Sequence, residues 1–388
     1  MFLAITNTPR DYAWGSTTAI STLLGRRPSG RPEAELWLGA HAGSPSVVVN
    51  PAVVGGADTL ADWFAAEPDR ALGRGRSELP FLLKVLAADS PLSIQAHPTP
   101  EQARAGFAAE NEAGVPLDSP SRNYKDPFPK PEIIVALSDA FEALCGFRTL
   151  AETVADVDAL DGGTGRLSTL RGMIETSLET TLTRLFDGSD DSARIVADVS
   201  ELAQGVADPS PSIATVADLS GRYPGDPGVV VSLLLNHVTL SRGEALFLPA
   251  GNVHAYLGGL GVELMAPSDN VLRGGLTPKH VDVPELLEVL DFDPLPVPYL
   301  RPVETARGVE RFDPTGVGFA LLRVDAGGAG AVVQIGGPSI MLVTEGEVQV
   351  KGQDGSIRLA TGESAFVTPD EVRLAVTGGG TLYVATPA

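Results

Sequence analysis

Short apolar runs separated by glycine and proline constrain the fold of this 388-residue chain more than any other feature of its sequence. The runs are rich in valine, isoleucine and leucine and are bounded by Gly, Pro or Asp, a pattern typical of strands in β-sandwiches and barrels. Together with 43 glycines and 31 prolines, they predict a mainly β fold. We expect strands in SVVV (46–49), FLLKVL (81–86), EIIVAL (132–137), VVVSLLL (229–235) and IMLVT (340–344).

Two segments between the predicted strands have helical patterns instead. Apolar residues recur at spacings of three and four, which predicts one long helix and a second helix after it. The first set is Leu167, Leu170, Ile174, Leu178, Leu182 and Leu185, and the second is Ile195, Val199, Leu202 and Val206. We therefore interpret residues 149–223 as a helical insertion domain. A shorter helix is predicted to begin at Thr99, where Thr-Pro-Glu-Gln forms a capping box with proline at the first helical position.

Two stretches of the chain, 119 residues apart, resemble each other. GEALFLPAGNVHAY (243–256) and GESAFVTPDEVRLAV (362–376) share a glycine, a phenylalanine and a valine at matching positions, and each follows strand-like residues. We interpret them as two copies of one β unit, which predicts a duplicated barrel rather than a short-period solenoid. His254 of the first copy aligns with Arg373 of the second, so only the first copy retains a histidine there.

The net charge of −21 excludes some classes of partner. Nucleic acids and anionic membranes both require a basic surface, so we expect neither as a partner. One cysteine excludes a disulfide framework, and no apolar stretch approaches the roughly 20 residues of a membrane-spanning helix. We expect a monomeric cytoplasmic protein.

Two of the five histidines lie in segments typical of a metal site. Gln95 and His97 are two residues apart in a predicted strand, so their side chains point to one face. His254 ends the spacing G-x5-P-x-G-x2-H, which begins at Gly243 and is the second metal-binding motif of the cupin family. The usual first cupin motif, His-x-His, is absent, but Gln95 and His97 could replace it. Glu132 could add a carboxylate from a further strand.

Two imidazoles, one carboxylate and one amide oxygen would form a site for Zn²⁺, Mn²⁺, Co²⁺ or Fe²⁺. The set contains none of the sulfur ligands that mark closed structural zinc sites. A lone histidine on an apolar strand is equally compatible with a hydrogen-bonded core residue, so spacing alone leaves both interpretations open.

The cations suggest an anion site. Only five of the 28 cationic residues are lysines, and four of those lie in or beside the candidate segments: Lys84, Lys125, Lys130 and Lys279. Arg273 stands next to small glycines, which would allow a ligand to approach closely. Lysine and arginine gathered in one pocket of so acidic a chain predict a local receptor for an anion such as phosphate.

Taken together, these motifs resemble type I phosphomannose isomerases of the cupin superfamily. The segments that carry the resemblance are YAWGS, AELWLGAH, FLLKVLAADSPLSIQAHPTPEQA, RNYKDPFPKPEIIVAL, FEALCGFR and FLPAGNVHAYLGGLGVELMAPSDNVLRGGLTPKHVDV. The resemblance implies two jelly-roll (cupin) barrels with a helical insertion. The catalytic cupin domain would comprise 1–148 and 224–300, and a degenerate cupin domain would comprise 301–388.

The resemblance also implies a function. The family interconverts mannose 6-phosphate and fructose 6-phosphate with a bound zinc ion, by moving a proton through an enediol. Its metal ligands correspond to Gln95, His97, Glu132 and His254, and its active-site arginine corresponds to Arg273. Residues near the substrate in the family correspond to Lys84, Ser93, Lys130, Glu263 and Lys279.

The proton carrier could be Glu263 or Lys130, and Glu263 could instead orient a neighbouring cation. One departure concerns ring opening, because Pro129 replaces the histidine that many members have there. Two other functions remain open at this point. A non-haem iron oxygenase also uses two histidines and one carboxylate, and a non-catalytic sugar-phosphate sensor would keep the pocket without turnover.

Overall fold

The computed structural model describes residues 1–388, and strands are more abundant than helices in it, as the apolar runs predict. The strands are β1 (Phe2–Thr6), β2 (Glu35–Leu38), β3 (Val47–Val48), β4 (Leu82–Ala88), β5 (Gln95–Ala96), β6 (Glu132–Ala136), β7 (Phe141–Phe147), β8 (Leu235–Leu240), β9 (Ala245–Leu248), β10 (His254–Met265), β11 (Leu272–Arg273), β12 (Val303–Ala306), β13 (Val309–Phe312), β14 (Phe319–Asp325), β15 (Ala331–Gln334), β16 (Ser339–Lys351), β17 (Ser356–Ala360), β18 (Ser364–Val367) and β19 (Arg373–Pro387). The helices are α1 (Ala19–Leu23), α2 (Leu60–Ala66), α3 (Pro68–Leu72), α4 (Pro100–Glu112), α5 (Leu150–Asp161), α6 (Ser168–Thr176), α7 (Leu178–Leu185), α8 (Asp190–Gln204), α9 (Pro211–Arg222), α10 (Gly228–Leu233) and α11 (Val283–Val289), with a 3₁₀ turn at Pro51–Val54.

The strands form two antiparallel sheets. The nine-stranded sheet has the order β11-β5-β10-β4-β2. β6 and β7 also pair with β10, and beyond them β9 pairs with β6 and β8 pairs with β7. The ten-stranded sheet has the order β12-β13-β14-β19-β16-β18-β1-β3, with β15 on β19 and β17 on β16. Neither sheet closes on itself through hydrogen bonds, so the closed barrels predicted from the sequence are not present in the strand pairing.

The first strand of the chain belongs to the second sheet. β1 pairs with β18, so that Leu3 lies opposite Phe366, and its other edge pairs with β3. A cluster of 32 buried hydrophobic residues includes Leu83 and Val85 of the nine-stranded sheet together with Leu3 and Phe366 of the other. Burial of such side chains stabilises a fold by about 1.5–3 kcal/mol each, so this cluster holds the two sheets together.

Residues 150–222 are helical, as predicted, but the first apolar set does not form one helix. It is divided between α6 and α7, because Ser177 adopts an extended conformation and its side chain caps α7 by accepting from the N–H of Thr180. Serine at such a position competes for backbone hydrogen bonds and favours a cap over a helix interior. The leucines still form one buried cluster, and this cluster also contains Val253 and Ala255 of the nine-stranded sheet.

The helix predicted at Thr99 is confirmed. Thr99 accepts from the N–H of Gln102, and the Gln102 side chain accepts from the N–H of Thr99, so both halves of the capping box are present. None of the helices in the chain combines the length and the apolar character needed to cross a membrane.

Three of the five predicted strands are confirmed, at β4, β6 and β16, and the run at 46–49 contains the two-residue strand β3. The prediction for 229–235 is wrong, because this run forms helix α10 and only its last residue enters β8. Its residues are buried on every side of the helix, and periodicity cannot distinguish such a helix from a fully buried strand.

The two similar stretches have the same local backbone. Gly243 and Gly362 open them with φ of +86° and +84°, a conformation that favours glycine. β9 and β18 then occupy matching positions, and β10 and β19 begin at the aligned residues His254 and Arg373.

Candidate active site

The four predicted metal ligands converge on strand β10 and its neighbours. His254 is the first residue of β10 and lies directly opposite Gln95 of β5, and His97 follows two residues after Gln95. Glu132 begins β6, whose register places it opposite Met265 at the far end of β10. The ligand atoms of His97, Glu132 and His254 all lie within 4.8 Å of one another, so the structure brings the three together as a possible metal site.

The two imidazoles are oriented toward the carboxylate. Nε2 of His97 is 3.3 Å from Oε1 of Glu132, and Nε2 of His254 is 3.4 Å from Oε2. Nδ1 of His97 donates to the main-chain carbonyl of Asn270 at 2.7 Å, and Nδ1 of His254 donates to that of Asn252 at 3.0 Å. Because each proton is held on Nδ1, the lone pair of each imidazole is on Nε2, which is the usual arrangement of metal-binding histidines. Nε2 of His254 accepts from the Gln95 side-chain amide at 3.2 Å, whereas Nε2 of His97 has no hydrogen-bond partner.

The cluster fits a divalent cation. Nε2 of His97 and Oε2 of Glu132 are buried without a hydrogen-bond partner, an arrangement that costs about 1–3 kcal/mol per group unless something satisfies it. Burial and the nearby charge of Lys130 lower the pKa of His97 to about 4, so the imidazole is neutral, as a ligand must be. Burial opposes ionisation of Glu132, but Lys130 and His97 hold its pKa well below the usual value. The neutral His97, the ionised Glu132 and the imidazole of His254, with the Gln95 amide beside them, are groups that suit zinc.

A second group of polar side chains crosses the sheet beside the metal cluster. Lys84 of β4 lies between Trp37 of β2 and Glu263 of β10 and is directly opposite each of them. Nζ of Lys84 is 3.1 Å from Oε2 of Glu263 and 3.6 Å from Oε1 of Glu35, and it lies 5.1 Å from the centre of the Trp37 ring. Burial would lower the pKa of Lys84, but the two carboxylates raise it above its usual value, so this lysine is a charged, fixed group.

Glu263 is electrostatically linked to the metal cluster. Burial raises its pKa, Lys84 opposes that shift, and the negative charge of Glu132 adds to it. Lys130 lies on the other side of the cluster, with Nζ 2.9 Å from Oε1 of Glu132. Lys84, Lys130 and Glu263 are therefore electrostatically linked to the Glu132 carboxylate.

Arg273 and Lys279 form the cationic side of the site. Arg273 is on β11, opposite Gln95, and is half-buried. Burial lowers the pKa of Arg273, and partial burial together with the charge of Arg273 lowers the pKa of the largely exposed Lys279. Neither cation forms a salt bridge, although 49 acidic residues are present in the chain, so both are available to an anion. Ser93 is half-buried just before β5.

Proteins of known name resemble this chain over nearly its whole length. The family description "Phosphomannose isomerase type I, catalytic domain" matches residues 2–150. Proteins named mannose-6-phosphate isomerase from Shigella flexneri and Escherichia coli are each 37% identical over 388 residues, covering 97% of this chain and 97% of the relative. The chain belongs to the type I phosphomannose isomerase family. A solved structure described as a zinc-bound (holo) mannose 6-phosphate isomerase has a TM-score of 0.90 and 35% identity and covers 100% of this chain and 99% of that one.

Membership of the phosphomannose isomerase family confirms the predicted resemblance and the prediction of a metal-dependent isomerase, and it favours neither the iron oxygenase nor the non-catalytic sensor. Zinc as cofactor agrees both with the zinc-bound relatives and with the His–Glu–His cluster of this chain.

Sequence analysis missed two features of this phosphomannose isomerase site. The first is Glu35, which faces Lys84; it stands two residues before Trp37 on β2, and that spacing is the signal that both side chains point to the same face. The second is Asp269, whose Oδ2 lies 3.4 Å from Nε2 of His41. The hydrogen bond with His41 lowers the pKa of Asp269 despite its partial burial.

Pro129, where many phosphomannose isomerases have a histidine, lines a cavity of about 790 Å³. Phe128 and His41 also line this cavity, whereas none of the four predicted ligands does. Position 129 directly precedes Lys130, whose Nζ lies 2.9 Å from Glu132, and its proline side chain can neither donate nor accept a proton.

Proposed function

We propose that this chain interconverts mannose 6-phosphate and fructose 6-phosphate by moving a proton between C1 and C2 through an enediol. One zinc ion per chain would be held by Gln95, His97, Glu132 and His254. The observation that carries the proposal is the buried His–Glu–His cluster, with two unpartnered ligand atoms, beside cations that form no salt bridge. Bound zinc would supply Lewis acidity toward the negative charge that develops on the sugar oxygens.

The cations of the site bind and orient the substrate in this proposal. Arg273 and Lys279 hold the phosphate group, since both lack an internal carboxylate partner and Arg273 offers planar, bidentate hydrogen bonding. Lys84 contacts sugar oxygens, because Glu263 and Glu35 keep it charged and fix its position. Ser93 adds a hydroxyl on the approach to β5.

Lys130 is the proton carrier that the geometry favours. Its ammonium group lies 2.9 Å from Oε1 of Glu132, which holds it beside the proposed metal, where the sugar oxygens would bind. Glu263 already binds Lys84 at 3.1 Å, so its contact supports the orienting role that the sequence left open. With proline at 129, we take the open-chain sugar as the form that reacts.

A coupled assay with mannose 6-phosphate tests the proposal. Turnover should disappear when the protein is treated with a chelator and return when Zn²⁺ is added. Turnover that requires O₂ would support the oxygenase instead, and binding without turnover would support the sensor.

The finer domain organisation belongs to the same proposal. We infer two cupin-like units, at 1–148 with 224–300 and at 301–388, separated by the helical insertion at 149–223. The matching glycines and the constant offset of 119 residues between their strands support a duplication. A cytoplasmic monomer, with no nucleic-acid or membrane partner, remains a prediction from the composition.

A further inference from the structure

Asn270 lies at a junction between three parts of the site. It is completely buried, and it stands three residues before Arg273. Its main-chain carbonyl accepts the 2.7 Å hydrogen bond from Nδ1 of His97. Asn270 therefore contacts one proposed ligand directly and belongs to the segment that carries the proposed phosphate-binding arginine.

The side chain of Asn270 binds a different segment. Oδ1 accepts from the main-chain N–H groups of Lys125 at 2.7 Å and Asp126 at 3.2 Å. Nδ2 donates to the carbonyls of Asp126 at 2.8 Å and Phe128 at 2.9 Å. Two acceptor sites and two donor sites are all that an amide side chain has, so every one of them is used on residues 125–128.

Residues 125–128 lead directly to Lys130 and Glu132. A second set of bonds holds the same two segments together, since the Asp126 carboxylate accepts from the Ser268 hydroxyl at 2.8 Å and from the N–H of Asp269 at 2.9 Å. A shift of the loop relative to Asn270 would move the Glu132 carboxylate relative to His97. Metal sites lose affinity when the groups that orient their ligands are displaced.

We propose that Asn270 is a positioning residue that fixes the spacing between His97 and Glu132 and so sets the zinc affinity of the site. The inference rests on the proposed metal site. The Asn270 side chain acts only through the loop at 125–128, while its main-chain carbonyl orients His97.

Asn270→Ala separates these two roles, because it keeps the carbonyl next to His97 and removes every side-chain hydrogen bond to residues 125–128. We expect the zinc affinity of the folded apoprotein to fall by about 10–100-fold, the usual effect of losing an outer partner of a metal site. Competition titration against a chromophoric chelator measures the affinity, and the melting temperature of the apoprotein is measured alongside.

Asn236→Ala is the matched control. Nδ2 of Asn236 donates to the carbonyls of Cys145, Gly146 and Phe147 at 3.1–3.3 Å. Cys145 is paired with His254, so the control also lies near a proposed ligand, but its bonds do not link the segments of His97 and Glu132. Both variants should lower the melting temperature of the apoprotein, but only Asn270→Ala should weaken zinc binding. A purely structural role for Asn270 predicts that the two variants behave alike.

Two outcomes would contradict the inference. Zinc affinity of Asn270→Ala within twofold of the unmodified protein, or an equal loss in Asn236→Ala, would overturn it. If Asn270→Ala does not fold, the zinc affinity of Asn270→Ser, which keeps one hydrogen-bonding group, is measured instead. An affinity within twofold of the unmodified protein would again overturn the inference. His254→Ala, assayed in parallel, separates the two proposals: if it also retains full zinc affinity, the metal site itself is wrong, whereas a loss in His254→Ala alone refutes only the role of Asn270.

Discussion

The two similar stretches, 243–256 and 362–376, have similar backbone conformations but different surroundings. Both open with a glycine at positive φ, continue through a four-residue strand and lead into a long strand that starts at the aligned residues His254 and Arg373. Val253 is 2% exposed, whereas its counterpart Val372 is 55% exposed. The start of the long strand is thus an interior position in one copy and a surface position in the other.

Neighbouring segments create this difference. In the first copy, β5 and β6 bring Gln95 and Glu132 against the strand, and the leucines of the helical block pack around Val253 and Ala255. In the second copy, Arg373 is exposed. A histidine at the start of a strand becomes a candidate metal ligand only where other segments supply further ligands and exclude water, so the β unit by itself does not constitute the site.

The largest difference in zinc content and turnover should be between variants of the two aligned residues, His254 and Arg373. His254→Ala removes a proposed ligand, so we expect zinc content to fall close to zero and turnover to fall by more than about 100-fold, beyond the effect of losing an outer partner. Arg373→Ala changes an exposed residue of the other copy and should alter neither quantity. Elemental analysis and the coupled assay test both variants, and equal zinc occupancy in the two would refute the ligand assignment.

A comparison of two lysines sharpens the contrast further. Lys130→Met should reduce kcat by about 10²–10⁴-fold, the range for loss of a general acid or base, while zinc remains bound. Lys351→Met, on the exposed end of β16 in the second sheet, should leave kcat unchanged. Glu263→Gln should raise KM more than it lowers kcat if Glu263 serves to orient Lys84. A larger loss of kcat in Glu263→Gln than in Lys130→Met would reverse the two assignments.

Part of this contrast was accessible from the sequence. Hydrophobic runs predicted β4, β6 and β16, and the spacing of glycine, proline and histidine identified the copy that retains His254. These features depend on local chemistry, such as the φ that glycine allows and the alternation of side chains along a strand. The candidate residues of the site also followed from short motifs and from the family resemblance.

Features set by distant contacts were not accessible. The run at 229–235 is buried on all sides, so its pattern does not distinguish helix from strand, and the pairing of β1 with β18 joins the two ends of the chain. Glu35 was missed because its importance depends on the register between β2 and β4, which places Lys84 beside it. The local sequence does not specify the register between these two strands.

A smaller difference in kcat/KM is expected between variants of Arg273, in the site, and Arg358, in the second sheet. Arg273→Ala should lower kcat/KM by about 10²–10³-fold, because it removes two charge-assisted hydrogen bonds to the phosphate of about 1.5–3 kcal/mol each, and it should leave zinc content unchanged. Arg358→Ala is the control, because Arg358 is an exposed residue of the second sheet that is paired with Glu347. A kcat/KM of Arg273→Ala within threefold of the unmodified protein would show that Arg273 does not hold the phosphate.

The smallest effect concerns Cys145, which lies directly opposite His254 on β7. Burial raises the pKa of its thiol to about 12, so at pH 8 the folded protein contains almost no thiolate, the form that reacts. We expect a disulfide reagent such as DTNB to modify Cys145 in guanidinium but at least about 100-fold more slowly in the native protein, where reaction requires opening of the core. Because hydrophobic packing buries this strand, removal of zinc should leave the rate nearly unchanged. Rapid labelling after chelation would instead show that the metal, rather than the surrounding core, distinguishes the first copy from the second.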